Sequence, residues 1–499
     1  MWSATLINGL FLVISIAPGR NIITPAENDT AGNIVQKIAE DFSAWDWKRE
    51  QFIRYAKDYP FGWPRFDCAV PTTPSTPADV HHLAPWHVSV IGAIGDSLTA
   101  GRAAGAEYLT DLVLDYRGLS FAMGAEKNLT RQASLFTIIS PYALRNLLRI
   151  YLDIFSHFSP LLKGKSSGTA TSSNISVAGF NLAVSGAISE DLLGQAYALV
   201  KRIESHPGID FDNSWKFVNV FIGSNDLCRI CENTTRFNVE QFTNNIRESL
   251  VYLRENLPRA YVNLIPPFHV EVLLETQADN PFCVELQRIF CPCLFKLTKE
   301  EYAMIKRSFD LSLGEFLSAE YQTKNFAVGI SSGFNVDKLA SLGNVLNLAF
   351  VALDCFHFSQ IAHDVVAKII WRDLFLPIHT RAPVDLDQFQ PQLWDCPSTD
   401  CPYLRTALNS QSCSNQSGWS YLPSLRHAIR VTYENPVILP SMDELDRRAF
   451  MEDYGLILTV TIVGIALVIV MTCLVISFGK RKESSKKKPD ERTPLLNHL

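Results

Sequence analysis

The chain has 499 residues, 47% hydrophobic and 19% charged, a balance that excludes a disordered or fibrous protein and provides for one large or two ordinary domains. The formal net charge is −6. Residues 480–499 carry seven Lys/Arg against three Asp/Glu, so the remainder sits at about −10, which argues against a nucleic-acid surface.

Near the N-terminus, residues 6–17 form a short apolar segment followed by Pro18-Gly19. That length suits the central region of a secretory signal and is too short to span a bilayer, so residues 1–19 are expected to be a signal peptide. Five Asn-x-Ser/Thr sequons, at Asn28, Asn128, Asn174, Asn233 and Asn415, agree with a secretory route and are candidate glycosylation sites. Eleven cysteines are present. Cys473 lies in an apolar run; the other ten are an even set that can pair in an oxidising compartment. Cys228-x-x-Cys231 and Cys291-Pro-Cys293 resemble metal half-sites, but no second half with zinc-like His or Cys spacing accompanies them. Disulfides are expected, and no metal.

Residues 41–60 have helical spacing, and 71–77 is a linker rich in Pro and Thr. An apolar run over 87–94 reads as a buried strand that breaks at Gly95 into Asp96-Ser97. The region 130–158 is mostly helical with an interruption at Pro141, and 163–173 is a Gly/Ser/Thr loop. Residues 175–183 read as a strand ending in Ser185-Gly186-Ala187. A helix over 191–205 precedes a strand over 216–222 that ends in Gly223-Ser224-Asn225-Asp226. The same alternation continues with a helix at 239–256, a strand at 260–265, a helix at 299–323 and a strand at 325–330. It closes with Asp354 to Ser359 and a helix at 360–375. Strands alternating with helices predict an α/β fold with a central parallel sheet covered on both faces.

Residues 377–454, containing Cys and Pro, are expected to form a disulfide-pinned extension or stalk. Residues 455–478 are continuously apolar and uncharged, long enough for one transmembrane helix. Lys480-Arg481-Lys482 follow at once, so the positive-inside rule puts 479–499 in the cytosol and the bulk of the chain outside it, a single-pass type I arrangement. In the tail, Glu491 with Leu495-Leu496 looks like an acidic dileucine signal for a trafficking adaptor, which leaves plasma membrane and endosome or lysosome as destinations.

Four strand ends bring polar groups suited to one chemistry. Ser97 offers a hydroxyl. A serine at its free pKa is a poor nucleophile and needs a neutral imidazole to take its proton, and His357 supplies one. Asp354, three residues earlier, can orient that ring. Ser97 N–H, Gly186 N–H and the Asn225 amide can stabilise an oxyanion. The competing readings are ordinary: Ser97 as a helix N-cap, Asn225 as a turn residue, Asp96 and Asp226 as loop-orienting carboxylates, His363 packed in or on its helix. His81, His82 and His87 are set aside for want of an Asp at short spacing.

The blocks Gly95-Asp96-Ser97-Leu98, Gly186, Gly223-x-Asn225-Asp226 and Asp354-x-x-His357 stand in the order and at separations that resemble the GDSL, or SGNH, hydrolases. The longer Gly95 to Gly101 run, the Cys-x-x-Cys after Asn225-Asp226 and the Asp-Cys-Phe-His-Phe-Ser run resemble the phospholipase B branch. The resemblance covers about residues 41–376, as one unit where membrane-bound members can carry several. It implies a three-layer α/β/α sandwich and a serine ester hydrolase without a cofactor. Its substrates would be acyl esters of phospholipids and lysophospholipids, cleaved through an acyl-enzyme. Two alternatives are a carboxylesterase or deacetylase on other esters and a non-catalytic receptor that keeps the fold.

Overall fold

A computed structural model describes residues 50, 59–63, 68, 76–144, 162–268, 270, 271, 273, 281–335, 350–382, 384, 385, 396–398 and 400–413. The chain divides into Met1–Ile438 and Leu439–Leu499, and the second unit lies outside the described residues. So do the signal segment at 1–19, most of 41–60, the linker over 71–75, the apolar stretch at 455–478, the tail with Glu491, Leu495 and Leu496, and Asn28, Asn415 and Cys473. Among the described residues no helix is long and apolar enough to cross a membrane.

In chain order the first elements are β1 (Val88–Gly95), α1 (Ser97–Ala100), α2 (Leu135–Leu144), α3 (Ile175–Ala178) and α4 (Leu192–Glu204). Then come β2 (Trp215–Phe221), α5 (Ser224–Cys228), α6 (Val239–Asn256), β3 (Ala260–Ile265), α7 (Pro281–Phe290) and α8 (Lys299–Ser312). The last are β4 (Phe326–Ile330), β5 (Phe334–Asn335), α9 (Gln360–Asp373), β6 (Val384–Asp385) and α10 (Asn409–Ser412). Strands β1 to β4 form a four-stranded sheet in sequence order, every pair parallel. Strands β5 and β6 pair separately.

All seven residues of β2 and all six of β3 are buried, which is why these segments read as near-continuous apolar runs. Alternation assigns the two faces. Gly92 and Val218 stand at the same register, and a Cβ at Gly92 would lie 3.0 Å from Leu199 of α4. Phe221 points the other way, with its ring against Phe121 and Phe358 ahead of α9. Helices therefore cover both faces of the sheet. Two polar members of the strands meet each other: Asn263 donates to Asn219 across β2 and β3 at 3.0 Å. Lys216 donates to Phe211 O and, at 2.7 Å, to Pro258 O.

Two expectations are corrected. Residues 175–183 are not a strand: Ile175–Ala178 is a short helix, and only Asn181 bridges to β1, opposite Ala93. Gly179 takes φ +54°, where a Cβ would fall 2.0 Å from Lys165 O. Asn181 turns its side chain inward to donate to Thr99 O. This segment thus reaches the edge of β1 only from Phe180 onward, where Phe180 O, Leu182 N–H and Val184 N–H bond Ala93 and Gly95. The helix expected over 299–323 ends at Ser312, whose hydroxyl bonds Phe309 O. Gly314 follows, with low helix propensity, and two short 3₁₀ turns take over.

All ten cysteines outside 473 are paired: Cys68–Cys396, Cys228–Cys291, Cys231–Cys293, Cys283–Cys355 and Cys401–Cys413. The two half-sites are therefore joined to each other by disulfides.

Two glycines of β1 make a graded test of the packing. A Cβ at Gly92 meets only the movable Leu199 side chain, whereas at Gly95, φ +152°, it would lie 2.1 Å from Phe221 O. Urea denaturation should show Gly92→Ala costing about 1–2 kcal/mol and Gly95→Ala costing more than about 3 kcal/mol or failing to fold. Equal costs would contradict this packing.

Candidate functional site

β1 delivers Ser97 at the carboxyl edge of the sheet. Gly95 ends the strand with its N–H on Gln195 Oε1 at 2.8 Å and its carbonyl accepting from Gln195 Nε2 at 2.9 Å. The same carbonyl accepts from Val184 N–H at 3.1 Å, so a side-chain amide and a backbone amide share it. Asp96, not Ser97, is the N-cap: its Oδ1 accepts from Leu98 N at 2.9 Å. Ser97 is the first residue of α1, with its N–H at the unpaired start of that turn. Gly101 closes the turn at φ +78°.

His357 meets Ser97 from 260 residues away in sequence. Its Nε2 lies 2.9 Å from Ser97 Oγ, and its Nδ1 lies 2.6 Å from Asp354 Oδ2. All three are buried, at 4%, 1% and 7% exposure for Ser97, Asp354 and His357. Asp354 Oδ1 accepts the amides of Phe356 and His357. Burial alone would raise the Asp354 carboxyl; the neighbouring His357, through its charge and its hydrogen bonds, holds it below the ordinary carboxylate range. The tight turn between them needs Cys355 at φ +62°, a left-handed conformation costing a side-chain-bearing residue about 1–3 kcal/mol.

Gly186 and Asn225 come from two further segments, the first joined to the end of β1 through Val184 N–H to Gly95 O at 3.1 Å. Gly186 is exposed, at φ +81°, and a Cβ there would meet nothing within 4 Å. Its turn is held by buried Arg117, which donates to Asn181 O and Ala183 O and pairs with Asp115 at 3.2 Å. Asp115 also accepts from Ser185 Oγ at 2.7 Å. Asn225 sits in α5 after Gly223, φ +115°, where a Cβ would lie 2.6 Å from the Phe242 ring. Its Nδ2 donates to Ala187 O at 2.9 Å, linking it to the Gly186 turn and leaving its second hydrogen for another acceptor. Asp226 binds the same turn through Ser189 N and Oγ.

The other histidines fall elsewhere. His363 is fully buried on α9, accepts from Phe121 N, and is pushed down to about 3 by burial and by His357, so it stays neutral. His82 does have an acidic partner, contrary to the sequence reading. Asp79 stands three residues before it, at 2.7 Å, in the same Asp-x-x-His spacing as Asp354 and His357. The pair is half exposed and is engaged in capping a 3₁₀ turn. Among the sequons, Asn128, Asn174 and Asn233 are exposed. Each side chain accepts at 2.7 Å from the hydroxyl two residues on. Among the described residues no cluster of His, Cys, Asp or Glu could hold a metal.

What the sequence did not reveal is the support: Gln195, Arg117 and the partner of Cys355, which is Cys283 of α7. Only Cys355, inside the Asp354-to-His357 run, carried any signal.

Asp96 and Asp226 make a titration test. Burial, opposed by the Leu98 amide and reinforced by Asp226, raises Asp96 to about 7. Burial likewise raises Asp226 to about 6 against its Ser189 bonds. The native state therefore keeps protons that the unfolded chain releases above pH 3.8. The resulting stability is full below that pH and is lost as pH rises toward 7. Asp96→Asn keeps the cap and removes the charge. Its stability advantage over the wild type, read from urea denaturation, should grow between about pH 4 and 7, level off above, and reach on the order of a few kcal/mol. A gap independent of pH would refute the assignment.

With that geometry in view, the comparisons with known proteins are informative. The model of the GDSL-like lipase/acylhydrolase family matches residues 91–370, which begins in β1 and ends in α9. Mouse (Mus musculus) membrane-associated phospholipase B1 is 35% identical over 350 residues, 67% of this chain and 22% of that protein. The rat (Rattus norvegicus) protein is 33% identical over 377 residues, 71% of this chain and 25% of its own. The human (Homo sapiens) protein is 30% identical over 351 residues, 69% of this chain and 23% of its own. The chain spans about a quarter of the length of these relatives. The matched segment holds Ser97, Gly186, Asn225, Asp354 and His357 together, and the chain belongs to the GDSL-like lipase/acylhydrolase family, on its phospholipase B-like side.

Proposed function

We propose that this protein is a serine ester hydrolase that cleaves acyl esters of phospholipids and lysophospholipids through an acyl-enzyme. The observation that carries the reading is the continuous buried chain Ser97 Oγ, His357 Nε2, His357 Nδ1, Asp354 Oδ2, with links of 2.9 and 2.6 Å. His357 accepts the Ser97 proton as Oγ attacks the ester carbonyl, and Asp354 stabilises the imidazolium that forms. Ser97 N–H, Gly186 N–H and the second hydrogen of Asn225 Nδ2 receive the oxyanion. His357 then protonates the leaving alcohol, and a water it deprotonates releases the acid. These roles call on no cofactor.

The relatives' printed name, phospholipase B1, membrane-associated, supports the lipid substrate class. Its words membrane-associated agree with an anchored protein; the apolar run at 455–478 and the basic residues after it are the sequence support for a single transmembrane helix with 479–499 as a cytosolic tail carrying a sorting signal at Glu491, Leu495 and Leu496, and 377–454 as the stalk. Five disulfides favour an extracellular or luminal hydrolase domain, and exposed Asn128, Asn174 and Asn233 are available for glycosylation.

The test is hydrolysis of diacyl phospholipid, lysophospholipid and a short-chain soluble ester by the wild type and by Ser97→Ala. The wild type should cleave the two lipids, more so when they are presented as micelles, and Ser97→Ala should lower kcat by at least about 10³-fold. Cleavage of the soluble ester alone would replace the lipid reading with a carboxylesterase. Activity equal in both proteins would remove the serine mechanism altogether.

A further inference from the structure

Cys355 stands inside the Asp354-to-His357 turn in a left-handed conformation, and one helix supplies a covalent bond, a hydrogen bond and ring contacts to that turn. On α7, Cys283 is disulfide-bonded to Cys355. One turn further on, buried Gln287 donates from Nε2 to Cys355 O at 3.1 Å and to Leu273 O at 3.3 Å. At the end of the helix the Phe290 ring lies against Phe356, at 5.4 Å between centroids, and against His357, at 5.8 Å. Positions 283, 287 and 290 are spaced four and three apart, so a single face of α7 meets the turn. Phe282, Cys283 and Leu286 pack in one cluster with Ala352, Leu353 and Cys355.

The C-terminal end of α7 is also tied to the segment that carries Asn225. Cys291 bonds Cys228, the last residue of the short helix that carries Asn225, and Cys293 bonds Cys231. Ten residues of helix, about 15 Å, thus connect the acid–base turn to the oxyanion segment by covalent bonds at both ends.

We propose that α7 is a clamp that sets the position of His357 relative to Ser97, with Gln287 as a positioning residue and Cys283–Cys355 as its covalent counterpart. This rests on the esterase reading above. Gln287 touches neither His357 nor Ser97 directly; it fixes the carbonyl of the residue between the acid and the base. A turn held in a left-handed conformation persists only where its surroundings over-determine it. Losing one grip lets His357 drift by fractions of an ångström from the serine, a displacement that costs rate and not substrate affinity.

Gln287→Met keeps the volume and removes the donor. It should lower kcat by about 10- to 100-fold with KM within about twofold, and slow fluorophosphonate labelling of Ser97 in parallel, when rates are referred to titrated active sites. Cys283→Ala/Cys355→Ala should reproduce that pattern, so the proposal stays testable if Gln287→Met does not fold. Cys401→Ala/Cys413→Ala, which removes a disulfide remote in sequence from the turn, should leave kcat and labelling within about twofold. The clamp is overturned if the folded α7 variants keep wild-type kcat and labelling rate per active site, whatever their Tm, or if the 401–413 variant loses as much. Failure of the esterase reading looks different: the wild type itself would then show no Ser97-dependent turnover.

Discussion

A hydrogen bond of 2.6 Å between Asp354 and His357, closed across a tight turn of buried chain, sets what the surrounding structure must provide. A buried carboxylate is costly unless several donors meet it, and Asp354 has the His357 ring and two backbone amides. The turn that brings those donors round requires a left-handed Cys355. That residue in turn is held by α7, and α7 by disulfides to the segment beyond β2. The parallel sheet serves the same end, since its strands release Ser97 and Asn225 at one edge, within reach of the turn.

Supports of this kind recur around the site. Gln195 completes the last rung of β1, Arg117 gathers the carbonyls of the Gly186 turn, and Asn225 and Asp226 fasten that turn to α5. Asp96 stands apart from these supports: its buried Oδ2 has no hydrogen-bond partner, and burial drives its carboxyl toward the protonated form.

Much of this was legible in the residues because the signals were local. α6 starts at the residue its pattern indicates because Asn238 caps it, accepting from Gln241 N, and β3 is bounded by Arg259 and by Pro266-Pro267. The four-block pattern pointed to Ser97, Asn225, Gly186, Asp354 and His357 because each block ends a strand or forms a tight turn. The failures were cases where tertiary contacts prevailed. Residues 175–183 have a strand-like composition, but a short helix and Gly179 at φ +54° delay the chain's arrival at β1, and Asn181 turns its side chain to the Thr99 carbonyl. The Asp79 and His82 spacing duplicates the Asp354 and His357 spacing, and only burial and the presence of a serine distinguish the two. Disulfide pairing, Gln287 and Gln195 carry no local pattern: Gln287 meets Cys355 across 68 residues, Gln195 meets Gly95 across 100, and Cys68 meets Cys396 across 328.

The central claim is that Ser97 becomes acylated. The direct measurement is to mix the protein with an activated short-chain ester, quench with acid within the first turnovers, and map the acyl group by peptide mass spectrometry. The account predicts one acyl group per chain on the peptide containing Ser97, accumulating with a burst of released alcohol. Turnover without any acyl-Ser97, or acylation at another residue, would contradict it.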